Sequence, residues 1–376
     1  MVFKKTSEFG WWVFVVIGCL SCSINSEHAA TKTGNSNARG SHEGRFSDHP
    51  TTMTHMQVLD YEHWLISDQV RLWRTEDRGR TWIPSYSPEE QHGERLYIRG
   101  ISFISDQNGF LVDRDTIFRT DNGGAEWYKV GTVKTEGAEY FINNCYFVDS
   151  IHGWAAGLMF RKDFMSSPKA PPYIGAILCT KDGGTTWERQ RLKAPDRHPE
   201  NNERWDLKDI LFLTEKIGWA VGDTVIYWTV DGGEHWLPAR TNGAVCERVS
   251  FIDELHGWIT MRDTNAILAS SDGGRNWTII PAPAPFIGVP TEVVFLTPQH
   301  GFAACVYLYE TTNGGLTWRQ RSDLQGIAGA EYTNIRRALD STLLVIGGGN
   351  KTFSTLASTD YGKTFEACCS DEASKN

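Results

Sequence analysis

Positive charge is in short supply: 37 Lys and Arg stand against 46 Asp and Glu, a net charge of −9. Affinity for phosphate backbones rests on clustered Lys and Arg, so this balance argues against a nucleic-acid partner and allows local basic patches only. The paired cysteine spacing of a zinc site is also missing from Cys145, Cys179, Cys246 and Cys305, and they are expected to be small buried packing residues. Cys368 and Cys369 are adjacent, which disfavours a bridge between them. What is present in excess is Trp, with 15, and Gly, with 36, as a repeated element would require.

The first apolar run, Trp11 to Ile17, follows Lys4 and Lys5 and precedes small residues and two cysteines. It is far short of the roughly 20 residues that cross a bilayer and has the layout of an export signal over residues 1–22. Val16-Ile17-Gly18-Cys19 resembles the lipobox of bacterial lipoproteins, so Cys19 or Cys22 is a candidate for lipidation. The expected location is the periplasm, with a lipid anchor to the membrane, or else the exterior as a secreted protein. Residues 23–50 are rich in Ser, Asn, Thr, Gly and His and nearly devoid of large apolar side chains. They cannot offset the entropy of ordering and are expected to form a flexible tether, with a propeller over residues 51–366 and a tail over 367–376.

One pattern decides the fold: Ser/Thr, any, Asp/Asn, any, Gly, any, any, Trp/Phe. It occurs at Thr75–Trp82, Thr120–Trp127, Thr180–Trp187, Thr229–Trp236, Ser270–Trp277, Thr311–Trp318 and Ser358–Phe365. It resembles the Asp-box, or BNR, repeat. Gly supplies the positive φ of a tight hairpin, and the acidic or amide residue (Asp77, Asn122, Asp182, Asp231, Asp272, Asn313, Asp360) accepts hydrogen bonds from the turn's own amides. The aromatic (Trp82, Trp127, Trp187, Trp236, Trp277, Trp318, Phe365) opens the returning strand and folds over the turn. The boxes lack the alternating oxygen ligands and closing Glu of a calcium loop. They are assigned to folding, and neither a metal nor another cofactor is expected.

A second motif precedes five of the boxes: Phe103–Phe110, Phe147–Trp154, Phe212–Trp219, Phe251–Trp258 and Phe295–Phe302, each a strand end, a turn and a new strand. A short apolar segment such as Ile177-Leu178 lies between the two motifs and forms a third strand. Four antiparallel strands every 41 to 60 residues, repeated seven times, predict an all-β, seven-bladed β-propeller of four-stranded blades. The rivals are a linear solenoid, whose polar end caps are missing, and a six-bladed ring with one stray box. How the ring closes stays open. In this layout Cys145 and Cys179 stand two strand spacings apart, beyond disulfide reach.

Both motifs place their turns on one side of the ring, so the opposite side is built from the loops between second and third strands and between blades. Loops on a rigid scaffold are where binding concentrates. The longest insertions, Leu158–Tyr173 and Glu188–Trp205, fall there. Arg99, Asp209, Glu247, Arg248, Glu292 and Arg336 are expected around the central opening, with Asp113, Arg114, Asp115, Arg161, Lys162, Asp223, Arg262 and Asp263 on second-to-third loops. Arg99, Arg114, Arg161, Arg248, Arg262 and Arg336 are the candidate binding residues.

Phe147–Gly157 with Thr180–Trp187, and Phe212–Gly222 with Thr229–Trp236, spell FxDxxxGWxxG or a close variant followed by TxDGGxxW. This wording resembles the photosystem II stability and assembly factor family, over roughly residues 55–366. The resemblance implies a seven-bladed, non-catalytic platform that binds membrane-protein intermediates through an arginine-rich patch. The expected function is a monomeric binding or assembly platform at the cell envelope, with a protein or glycan on the loop face. The alternative is a glycoside hydrolase of sialidase or xyloglucanase type, which requires two carboxyl groups flanking the scissile bond; Asp209, Glu247 and Glu292 are the candidates. The Arg-Ile-Pro signature of sialidases is absent, and Trp82-Ile83-Pro84 is its nearest match.

Overall fold

A computed structural model describes residues 55–67, 71–87, 97–135, 138–160, 173–193, 206–241, 243–262, 264–281, 288–324, 332–338, 342–349 and 352–370. The expected export signal, the lipidation candidates Cys19 and Cys22, the tether, and Arg161, Lys162 and Asp263 lie outside them. The described residues hold twenty-eight strands, β1–β28 in chain order, in seven four-stranded antiparallel sheets of consecutive strands. Blades I to VII are β1–β4 (55–86), β5–β8 (98–132), β9–β12 (139–189), β13–β16 (207–239), β17–β20 (246–281), β21–β24 (292–320) and β25–β28 (332–370). The last strand, Glu366–Ser370, continues past the expected boundary at 366. Innermost strands are β1 (His55–Val58), β5 (Ile98–Phe103), β9 (Glu139–Phe147), β13 (Leu207–Phe212), β17 (Cys246–Phe251), β21 (Glu292–Phe295) and β25 (Tyr332–Arg337). Each contacts the next, and β25 contacts β1, closing a seven-bladed propeller without a shared blade.

The Asp-box chemistry repeats closely. In all seven boxes the Ser/Thr hydroxyl accepts the N–H of the residue four positions on, at 2.7 to 2.9 Å. The Asp or Asn Oδ1 accepts the N–H four positions beyond itself, at 2.8 to 3.0 Å. In six blades the residue just before the hydroxyl-bound one also donates to a carbonyl of its blade's first turn, as Gly183 N–H does to Ile151. This bond fixes both turns on one side of the ring.

The second motif is a packing device. Its Phe lies over the backbone of its own Gly; a Cβ at Gly109, Gly153, Gly218, Gly257 or Gly301 would come within 2.3 to 2.8 Å of that ring. The aromatic after the Gly reaches the next blade. Phe110 stacks on Phe147, Trp154 on Phe212, Trp219 on Phe251 and Trp258 on Phe295, at centroid separations of 3.5 to 3.7 Å. From blade III to blade VI the receiving Phe meets its own box Trp edge-on at 5.8 to 6.1 Å. Each such pair adds about 0.5–1.5 kcal/mol beyond its buried area.

Blades I and VII depart in a compensated way. Val58 and Arg337 stand where the Phe would be, and Trp64 and Leu343 fill the Gly position. At the closing seam Met56, Val58, Trp64 and Ile66 pack on Ala338, Leu344 and Ala357, and the Tyr61 hydroxyl donates to Glu366 Oε2 at 2.9 Å. Cys145, Cys179, Cys246 and Cys305 are free and buried, as expected, and Cys368, whose state the sequence leaves open, is free and half-buried.

Candidate functional site

Strand alternation sends every second residue of the innermost strands toward the axis. Counting back from the strand-end Phe, the residue three positions earlier is Gly100, Asn144, Asp209, Arg248 or Glu292 in blades II to VI, with His55 and Asn334 at the matching register in I and VII. One position before the Phe come Gln57, Ser102, Tyr146, Leu211, Ser250, Val294 and Arg336. Most of these two tiers line an axial cavity of about 350 Å³, whose walls include His55, Asn144, Asp209, Arg248, Glu292 and Arg336.

Sequence reasoning thus placed Asp209, Arg248, Glu292 and Arg336 correctly around the axis. It missed His55 and Asn144, although the offset from the strand-end Phe, read across all copies, carries that signal. Arg99 and Glu247 are corrections. A bulge shifts the register between Ile98 and Gly100 and between Cys246 and Arg248, and a bulge re-aims the extra residue. Arg99 lies instead 4.2 Å over the Phe141 ring, where burial is the main cause lowering its pKa. Glu247 pairs with Arg262.

Asp209 is tied into the framework. Its Oδ1 accepts from Asn144 Nδ2 at 2.5 Å and from the Ile210 N–H at 3.0 Å, and its Oδ2 accepts the Val249 N–H of the next blade at 2.9 Å. Arg248 reaches it only at 3.9 Å. Glu292 is 5% exposed and pairs through Oε1 with Arg336. His55 is neutral: burial first, then the charges of Arg248 and Arg336, push its pKa down to about 3. Burial and Arg248 pull Arg336 down to about 10, still protonated at neutral pH.

On the loop side, Arg114 is exposed at the tip of a tight turn with φ 58°, and Arg262 follows β18 (Gly257–Met261) with nearly half of its side chain exposed. Asp113 is buried and accepts the Tyr86 hydroxyl at 2.7 Å. On the opposite side one group of possible metal ligands occurs among the described residues, Asp231, Glu234 and His235. Its Asp231 already accepts the Thr229 hydroxyl and the His235 N–H within its own box.

Residues 201–357 match the family model described as photosynthesis system II assembly factor YCF48. Over 191 residues the chain is 26% identical to the photosystem II assembly lipoprotein Ycf48 of Synechococcus sp. (strain CC9902); the match covers 48% of this chain and 54% of that relative, about half of each. Among solved structures, YCF48 bound to D1 peptide is similar with a TM-score of 0.56 at 18% identity, covering 80% of this chain and 91% of its own. YCF48 from Cyanidioschyzon merolae gives 0.55 at 16%, covering 80% and 94%. An ancestral GH74 enzyme gives 0.55 at 11%, covering 85% of this chain but 46% of its own. At these identities the structural likenesses establish the fold. The chain is an Asp-box propeller that resembles the photosystem II assembly factor family.

Proposed function

We propose that this chain is an exported, non-catalytic platform that holds a polypeptide partner at the cell envelope, with its arginine-bearing loop side as the docking surface. One observation carries the non-catalytic part: each of the three candidate carboxylates already has a protein partner. Asp209 accepts from Asn144, Ile210 and Val249, Glu247 pairs with Arg262 and Glu292 with Arg336. Glycosidases need two carboxyl groups facing one bond across roughly 5 to 9.5 Å. The docking side is supported by the outward Arg114 and Arg262. The polypeptide partner is supported by the similar factor solved with a D1 peptide. Anchoring through Cys19 or Cys22 is supported by the lipoprotein name of the Synechococcus relative.

The test is photo-crosslinking in the native host from positions 114 and 262, with a position on the Asp-box side, Leu255, as reference. Polypeptide adducts that form on the loop side and vanish on reversing the remaining loop-side arginine to Glu support the reading. Adducts confined to the Leu255 position, or release of reducing sugar from xyloglucan or sialosides by the purified protein, overturn it.

A further inference from the structure

The innermost strands share an irregularity that the proposed docking role does not use. In blades II, III, IV, V and VII the register shifts at the same place, just before the axis-facing residue three positions short of the strand's last residue. Bulges re-aim side chains and collect beside functional sites. In blade V the residue so placed is Arg248. It carries five N–H donors, yet among the described residues its one ion-pair partner is Asp209 at 3.9 Å, beyond hydrogen-bond range. A third of its side chain is exposed, and it lines the axial cavity.

Charge narrows the ligand. Three arginines, Arg248, Arg336 and Arg337, line the cavity with two carboxylates, Asp209 and Glu292, and His55 is neutral, which leaves an excess of one positive charge. Neither carboxylate offers a seat for a cation. Asp209 accepts from Asn144, Ile210 and Val249, while Glu292 pairs with Arg336 through one oxygen and has the other buried. Arg248 stands near enough to Arg336 that, after burial, its charge is the next cause lowering that group's pKa. One negative charge beside Arg248 cancels the excess and relieves this repulsion. One tier along the same strands, the axis is lined by Leu211 and Val294 on either side of Ser250, an apolar wall beside the open guanidinium. The volume, about 350 Å³, is at the small end of ligand pockets.

We infer that the axial cavity is a binding site for a small organic monocarboxylate, its carboxylate on Arg248 and its apolar body against Leu211 and Val294. The carboxylate takes the guanidinium fork that matches its geometry. The site is separate from the loop-side docking surface and stands or falls independently of it.

The experiment is calorimetric titration of the full chain with benzoate and 4-methylpentanoate. Beside them stand benzamide and 4-methylpentanamide, which keep the shape and lose the charge, and acetate and inorganic phosphate, which lack the apolar body. Saturable binding of at least one of the two larger carboxylates is expected, with its amide and both small anions weaker by about tenfold or more, because each loses one of the two contacts. Arg248→Met is expected to weaken binding by a similar factor while keeping the parent's melting temperature. Arg240→Met, at an exposed arginine just past blade IV, should bind like the parent. The inference is overturned if neither larger carboxylate binds saturably, or if the amide, acetate or phosphate binds as tightly. It is overturned equally if folded Arg248→Met binds like the parent or if Arg240→Met loses binding. Should Arg248→Met not fold, the ligand series on the unaltered protein decides alone.

Discussion

Trp219 of blade IV lies face to face on Phe251 of blade V, with ring centroids 3.5 Å apart and planes 10° from parallel. Its indole N–H donates to the Gly273 carbonyl in the next blade's box at 2.9 Å. One side chain thus joins two blades by stacking and by a hydrogen bond. Replacing it, Trp219→Ala, is expected to cost about 3–5 kcal/mol, the range for buried Trp or Phe truncations. Urea unfolding measures this; a loss below about 1 kcal/mol would mean that the seam can collapse over the gap.

The two glycines Gly274 and Gly243 separate backbone strain from crowding. Both have positive φ, 82° and 86°. A Cβ at Gly274 would sit 2.6 Å from Trp219 Nε1, whereas nothing lies within 4 Å of one at Gly243. Gly243→Ala is expected to lose about 1–2 kcal/mol from the left-handed backbone alone. Gly274→Ala should lose that and a further 1–3 kcal/mol, roughly, for overpacking. Equal losses in the two variants would refute the close inter-blade contact.

Acid should weaken the last blade through Asp360. The Thr364 backbone N–H is the main reason its carboxyl is held at about 2, against partial burial and with help from the Thr364 and Ser358 hydroxyls. An unfolded Asp titrates near 3.9, so the native state binds fewer protons at this group than the unfolded chain. Its contribution to stability is complete above roughly pH 4 and is lost as pH falls toward 2. Thermal melts across that window should fall less steeply for Asp360→Asn. Asn is accommodated there because Asn122 and Asn313 make the equivalent bonds in their own boxes.

Thiol chemistry should report burial. Burial lifts the Cys145 and Cys305 thiols to about 12, and Cys246 higher still, which suppresses the reactive thiolate at pH 8. Peptide mapping after iodoacetamide treatment is expected to find Cys145, Cys246 and Cys305 unmodified in the native protein and alkylated after unfolding. Modification of any of them without unfolding would contradict the packing between blades.

The blade count, the strand order and the side on which both turns lie were legible because they depend on local wording: glycines at fixed offsets and an aromatic that must cover its own turn. Half of the site was legible for the same reason, since Asp209, Arg248 and Glu292 keep a constant distance from a strand-end Phe. Arg99 and Glu247 were misplaced because a bulge adds one residue to the strand and reverses its facing, and no side chain in the sequence marks it. His55 escaped notice because Val58 replaces the Phe that would have set its offset. That swap is visible only with its partner, Trp64, which occupies the space left by Phe and Gly together.

The ring's seams have a consequence for how the chain could be re-spliced. Because every blade is made from four consecutive strands and β25 meets β1 directly, no β-ladder among the described residues holds strands from both ends of the propeller. Joining residue 370 to residue 55 through a flexible linker and opening new termini between Ala239 and Cys246 would leave every ladder intact. Such a circular permutant should melt as a single cooperative unit. By contrast, termini opened inside a blade, between Trp228 and Leu237, would divide one ladder and let an outer edge fray.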